Sequence, residues 1–257
     1  MMFGKNSILF YIVVLFSNVI QCITGFAGTV LAMPVSLVLV GYGVAKPVLN
    51  VLGIAASVGV ILSSPKSVKL REFAKILMFM LPGLMIGELI TTYFDIAAET
   101  LYKILGVAVI AFTIAGCING KATSPNALPP LIRERARLKI SDIALYSVLV
   151  VSGTVHGMFV CGGPLLVLYA DRVFYDKQEF RTTLSAVWIV LNGLILISDI
   201  NSGYFVADTV NVLTISVGVL VFAVVIGNLI ARKLNRKAFI TLTYILMATS
   251  GILLFFK

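Results

Sequence analysis

The chain has 257 residues, 60% of them hydrophobic and only 12% charged, against about 25% charged in an ordinary soluble domain. No water-soluble fold of that size can hide so much apolar surface, and the mean hydropathy of +1.06 repeats the point, so a soluble enzyme, a nucleic-acid-binding module and a disordered chain are excluded. The formal net charge of +9 is no nucleic-acid footprint, which needs a basic patch on a soluble face; here Lys and Arg sit in short clusters between apolar runs, as orientation signals do in a polytopic membrane protein.

A helical span takes about 20 mostly apolar residues. Apolar segments run over residues 7–41, 46–63, 73–94, 98–117, 140–170, 182–199, 207–231 and 237–256. Six have ordinary spanning length. Segments 7–41 and 140–170 are too long for one simple span. The first is interrupted by Thr24-Gly25-Phe26-Ala27-Gly28-Thr29 through Pro34, the second by Gly157 through Cys161-Gly162-Gly163-Pro164. A helix-interior Gly costs about 1 kcal/mol and a Pro about 3, so both segments are predicted to break there. Met1–Cys22 reads as a retained helix rather than a cleaved secretory signal, because no small-x-small site closes the run. The long polar stretch 118–139 is predicted to be a cytoplasmic linker between a first membrane repeat, 1–117, and a second, 140–257. The three cysteines, Cys22, Cys117 and Cys161, form no C-x-x-C pair and imply neither a disulfide framework nor a zinc site. No cofactor is expected.

The basic clusters choose the topology. If all eight segments cross once, the basic residues split eleven against nine, and the positive-inside rule wants a bias. If the two broken segments instead enter and return to one face, four basic residues at 66–75, five at 121–139, three at 172–181 and four at 232–237 share a side. That side then holds sixteen of the 20. Lys5, Lys46, Lys103 and Lys257 remain opposite, with Glu88, Asp95, Glu99, Asp199 and Asp208. The expected fold is therefore all-α: two inverted repeats, each a broken or re-entrant segment followed by three transmembrane helices. Both termini are expected outside the cell membrane. Such inverted repeats are common among secondary transporters.

Paired helix breaks at corresponding positions mark a transporter's binding site, because non-helical backbone in a bilayer must face protein, water or a ligand. The helix that starts after a break presents free N–H groups and a partial positive charge to an anion. Gly28-Thr29 and Gly162-Gly163 would let a ligand approach the backbone; close helix packing is the competing use of such small residues.

Several polar residues carry two readings. Arg181 either meets an anionic oxygen with paired hydrogen bonds or snorkels as an orientation signal. Lys46 is its counterpart in the first half. Asn50, Thr182 and Thr183 lie near the same turns and are candidate donors to an oxyanion, against the usual bonding of membrane Ser and Thr within helices. His156, the single histidine, is a candidate gate or proton carrier or a satisfied structural group. Gln21 either binds substrate or bonds exposed backbone. Glu88 lies in an apolar run, where a carboxylate carries a functional hypothesis by default; proton coupling is the one it suggests, unless it reaches the interface. Cys161 sits in the second break, as a contact for a soft sulfur anion or as a small buried hydrophobe. Trp188 is expected to pack.

The pattern Gly153-x-x-x-Gly157-x-x-x-Cys161-Gly162-Gly163, followed by an apolar run and Phe180-Arg181-Thr182-Thr183, resembles the TauE/SafE family of sulfite exporters. The first half is similar at Gly25-x-x-Gly28-Thr29 and Ala45-Lys46-Pro47. Cys161 stands where the family usually has Gly, and the first half lacks the glycine triplet. The resemblance implies export or exchange of small sulfur-containing anions: sulfite, sulfonates such as sulfoacetate, or thiosulfate. Helix N-termini and surplus basic residues independently favour an anion, without selecting sulfur. No G-x-x-x-x-G-K-[ST] motif occurs, so an electrochemical gradient must drive transport. The expected partners are a small anion and the lipid bilayer, with a homodimer open to it and no nucleic acid. An intramembrane thiol or redox enzyme built on Cys161 and His156, and a membrane scaffold subunit, are the alternatives.

Overall fold

The computed structural model describes residues 5–93 and 142–235, with isolated helical positions beyond each stretch. The linker 118–139 and most of segments 98–117 and 237–256 lie outside the described residues. Eight α-helices make up the described part: α1 (Lys5–Thr24), α2 (Ala27–Val40), α3 (Tyr42–Ser63) and α4 (Leu70–Tyr93), then α5 (Asp142–Phe159), α6 (Gly163–Val173), α7 (Lys177–Asn201) and α8 (Ala207–Lys233). A single 3-10 turn, Pro65–Ser67, joins α3 to α4, and no strand occurs among the described residues. Five helices, α1, α3, α4, α7 and α8, are long and apolar enough to cross a membrane.

The two long apolar segments are each two helices. Gly25, with φ +85°, ends α1 in a left-handed conformation that glycine adopts without a Cβ penalty. The chain then folds back, so that Gly28 on α2 lies against Ser17 and Gln21 of α1; a Cβ at Gly28 would stand 2.6 Å from that of Gln21. Pro34 lies within α2 and does not interrupt it. In the second half α5 continues through Gly157 and stops at Phe159. Gly162 folds back against Ser152 and His156 of that helix. Val160 turns the corner at φ +57°, a strained conformation for a β-branched residue.

Part of the helix pairing repeats between the halves. Exchanging α1–α4 for α5–α8 carries the contact of α4 with α5 onto that of α8 with α1, and α3 with α8 onto α7 with α4. The two helices at equivalent places, α3 and α7, pack on each other at the centre. They run antiparallel: Lys46 near the start of α3 meets Asp199 near the end of α7, and Asn50 and Gly53 meet Asn192 further in. Outer helices α4 and α8 expose Met78, Met85 and Leu89, and Val221, Phe222, Val225 and Leu229. An apolar exterior of this kind suits lipid rather than water.

Between membrane helices the hydrophobic effect gives little drive, so close packing does the work and small residues line the contacts. The α4–α5 interface follows that rule from both sides. Gly83 and Gly87 face the backbone of Val150 and Thr154, while Gly153 and Gly157 face that of Met80 and Leu84. At each of these four positions a Cβ would collide with a carbonyl oxygen. Gly227 makes the equivalent approach of α8 to Val19 and Cys22 of α1.

Candidate functional site

One stripe on α7 organises the interior. Arg181, Ser185, Trp188, Asn192, Ile195 and Asp199 recur at alternating steps of four and three and are all buried, the spacing that keeps side chains on one helical face. Lys46, Asn50, Gly53, Ser57 and Val60 do the same on α3. Arg181 and Asp199 are 18 residues apart, about 27 Å along the helix at 1.5 Å per residue. The stripe thus spans most of a hydrocarbon core of about 30 Å, with a cation at one end, an acid at the other and amides between.

The two helix breaks meet against this stripe. Gly163, first residue of α6, lies so close to Phe26 of the first break that a Cβ would be 2.9 Å from its carbonyl oxygen. Gly25 has equally little room: its Cβ would be 2.8 Å from the Arg181 carbonyl oxygen. Trp188 donates its indole N–H to the Gly25 carbonyl oxygen at 2.6 Å. That bond holds the free carbonyl of a broken helix, a role that reading Trp188 as a packing residue leaves out.

Each break is also satisfied from its own hairpin. Thr24 Oγ1 accepts from the Phe26 and Ala27 amides at 3.3 and 3.2 Å, and Gln21 Oε1 accepts from the Gly28 amide at 2.8 Å. Of the two roles open to Gln21, bonding exposed backbone is the one seen. Ser152 donates to the Gly162 carbonyl at 2.8 Å. The Gly162 amide faces His156 Nδ1 at 3.4 Å. An amide can only donate, so Nδ1 is an acceptor and the ring proton is on Nε2. Nε2 then donates to Asn192 Oδ1 at 2.7 Å. The imidazole lies tilted against the Trp188 ring, with the centroids 4.7 Å apart. Asn50 extends the chain of amides by donating to the Asn192 carbonyl at 3.1 Å. Thr29 lies beside Gly53 and, through its carbonyl, near Cys161 Sγ at 4.0 Å. Gly28, Thr29, Asn50, His156, Cys161, Gly162 and Gly163 therefore surround one middle layer.

Arg181 lies nearer the basic end of α7. Only 2% of it is exposed, so it is not a snorkelling surface residue. Nε donates to the Cys22 carbonyl, Nη2 to Asn228 Oδ1, and Nη1 to Gln178 Oε1 at 3.3 Å. All three acceptors are neutral. A guanidinium has five N–H donors, so two have no acceptor among the described residues. Among the described residues no carboxylate lies within ion-pair distance of it. Thr182 turns its hydroxyl to the Gln178 carbonyl of its own helix at 2.7 Å, and Thr183 accepts from the Lys69 amide at 3.0 Å. Three of the four basic clusters converge at this end: Lys69 pairs with Glu179 at 2.8 Å, and Lys177 donates to the Ala231 and Leu234 carbonyls that close α8. The fourth, 121–139, lies outside the described residues.

At the opposite end Lys46 and Glu88, two separate candidates in the sequence, are partners. Lys46 Nζ is 3.4 Å from Glu88 Oε1 and 3.0 Å from Asp199 Oδ1. Ser198 donates to Glu88 Oε2 at 2.8 Å. Asp199 is the member sequence reasoning missed as a site residue. Its signal was its place in the α7 heptad stripe, which marks an acid on the buried face.

An all-helical membrane protein whose interior presents charges at both ends and amides between them has the design of a solute transporter rather than of an enzyme. The family match makes the class definite: residues 10–254 match the sulfite exporter TauE/SafE family. The chain belongs to that family of transporters, as a multi-pass membrane protein with a small anionic substrate. No curated protein and no solved structure matches the chain.

Proposed function

We propose that the protein is a secondary transporter, working as an exporter, for a small sulfur oxyanion such as sulfite, thiosulfate or a short sulfonate. The observation that carries the reading is the buried Arg181 guanidinium, which among the described residues has two N–H donors without an acceptor and only neutral acceptors around it. A buried charge without a partner is costly, and an anion arriving at the two free donors with a forked pair of hydrogen bonds would balance it. From Arg181 the anion moves to the layer where the breaks meet. There the hydroxyl of Thr29 and the second N–H of the Asn50 amide replace part of its hydration shell, with Gly28 and Gly162-Gly163 forming the wall of the layer and Thr182 and the Cys161 thiol at the margin. Glu88 and His156 serve coupling and gating, and Gln21 holds the first hairpin in shape.

The exchange symmetry of the helix pairs and the antiparallel α3 and α7 support an inverted repeat and alternating access by rocking of one repeat against the other. Convergence of three basic clusters at the Arg181 end supports a cytoplasmic location for that end in the cell membrane, with both termini outside. A pair of copies enters this reading if the solubilised particle has twice the mass of the chain.

The test is a thermal-shift screen of the purified chain with sulfite, thiosulfate, sulfoacetate, taurine and chloride, followed by counterflow in proteoliposomes. One sulfur oxyanion should stabilise the wild type and be exchanged, and R181M should abolish both effects. Stabilisation by chloride alone, or equal binding by R181M, would overturn the reading.

A further inference from the structure

The Lys46 cluster contains one cation and two carboxylates, and its hydrogen bonds identify which carboxylate is left over. Glu88 accepts from both Lys46 and Ser198, and 18% of its side chain is exposed. The Asp199 side chain is 0% exposed. Lys46 approaches its Oδ1, but Oδ2 receives no hydrogen bond among the described residues. Asn50 turns its side chain toward Asp199 and gives one Nδ2 hydrogen to the Asn192 carbonyl; its own buried Oδ1 receives no hydrogen bond among the described residues. A carboxylate oxygen that is fully buried and receives no hydrogen bond among the described residues is a place for a proton. The cation–carboxylate count requires the same thing, since one proton makes the buried triad neutral and removes the cost of an unpaired charge.

We propose that Asp199 is the proton-binding site of this protein. Its carboxyl holds one exchangeable proton on Oδ2, and loading and release of that proton couple anion movement to the pH gradient. The groups that face it are Tyr42 and Lys46 from α3, Glu88 from α4 and Tyr204 from the turn after α7. The Tyr42 hydroxyl is committed to the Met158 carbonyl of α5 at 3.1 Å, and the Tyr204 ring lies 5.8 Å from Lys46 Nζ. Neither supplies the donor that Oδ2 lacks. Protonation of Asp199 leaves Lys46 paired with Glu88 alone. Deprotonation draws Lys46 to both acids and tightens the junction of α3, α4 and α7. The proton thus acts on the same two central helices that carry the anion layer.

The coupling role rests on the transport reading, whereas proton binding does not, and the experiment separates them. Infrared spectra of the purified full chain across the neutral range should contain the C=O band of a protonated carboxyl. D199N should lack it, D199E should shift it, and K46M should strengthen it, because two acids then face each other without a cation. Absence of the band in the wild type, or its persistence unchanged in D199N, overturns the proposal. In proteoliposomes with thiosulfate as the probe, wild-type flux should change with pH up to about tenfold per unit, the limit for one proton, and D199N should be flat. An unchanged pH profile in D199N overturns the coupling role. A correctly assigned infrared band together with no flux of either thiosulfate or sulfite overturns the transport reading alone.

Discussion

Lys46 and Arg181 occupy the fifth position of α3 and of α7, two helices packed on each other, and the structure treats them in opposite ways. Lys46 is matched by two acids from two other helices. Arg181 is surrounded by a carbonyl and two amide oxygens. Like positions in two packed helices therefore give one end an excess of negative charge and the other a positive charge with no acid beside it among the described residues. The difference follows from chemistry as well as surroundings. A guanidinium keeps its charge and shares it over five donors, while an ammonium is a compact charge that needs close counter-ions.

The largest effect should come from breaking the matched end. K46M leaves two buried carboxylates facing each other, and truncating one partner of a buried ion pair costs about 3–5 kcal/mol; chemical denaturation or thermal melting in detergent should read a loss of that size. R181M tests the unmatched end and should behave differently. Removing a charge that has no counter-ion changes stability by no more than about 1–2 kcal/mol, yet anion exchange should fall at least about 100-fold, as expected when a charge-assisted fork is lost. Equal destabilisation by the two variants would dissolve the contrast. N228D sharpens it by supplying Arg181 with an acid of its own. This turns the unmatched end into a matched one, and anion affinity should drop by about tenfold while the melting temperature holds or rises. The smallest effect concerns the corner between α5 and α6. V160G relieves a left-handed φ and should raise stability by about 1 kcal/mol, with the pH profile of exchange unchanged.

Much of the fold was legible in the sequence. The segments 46–63, 73–94, 182–199 and 207–231 became α3, α4, α7 and α8, each extended by a few polar-flanked residues, because hydrocarbon thickness fixes the length of an apolar run. Excess length together with Gly and Pro located the two hairpins, although Pro34 and Gly157 proved to lie inside helices. Gly157 and Gly153 show why. Their lack of a side chain is used against the α4 backbone, and a sequence does not distinguish a glycine that bends a helix from one that lets another helix approach.

The candidate residues that the structure gathers could be picked from the sequence one by one, but their grouping could not. Arg181, Asn50, His156 and the break glycines were candidates by residue type and position. Glu88 and Lys46 were candidates separately, and Asp199 was only a charge in a topology count. They are 42 and 153 residues from Lys46 along the chain, so no local period connects them. What joins them is the antiparallel crossing of α3 and α7 with α4 against it.

By itself the sequence determined that the chain lives in a bilayer, where its helices lie and where two of them turn back, because those depend on local composition and on the high cost of unpaired backbone in lipid. Only the tertiary structure decided which buried charges have partners. A charge inside a membrane protein is defined by what stands within a few ångströms of it, and those neighbours come from distant helices.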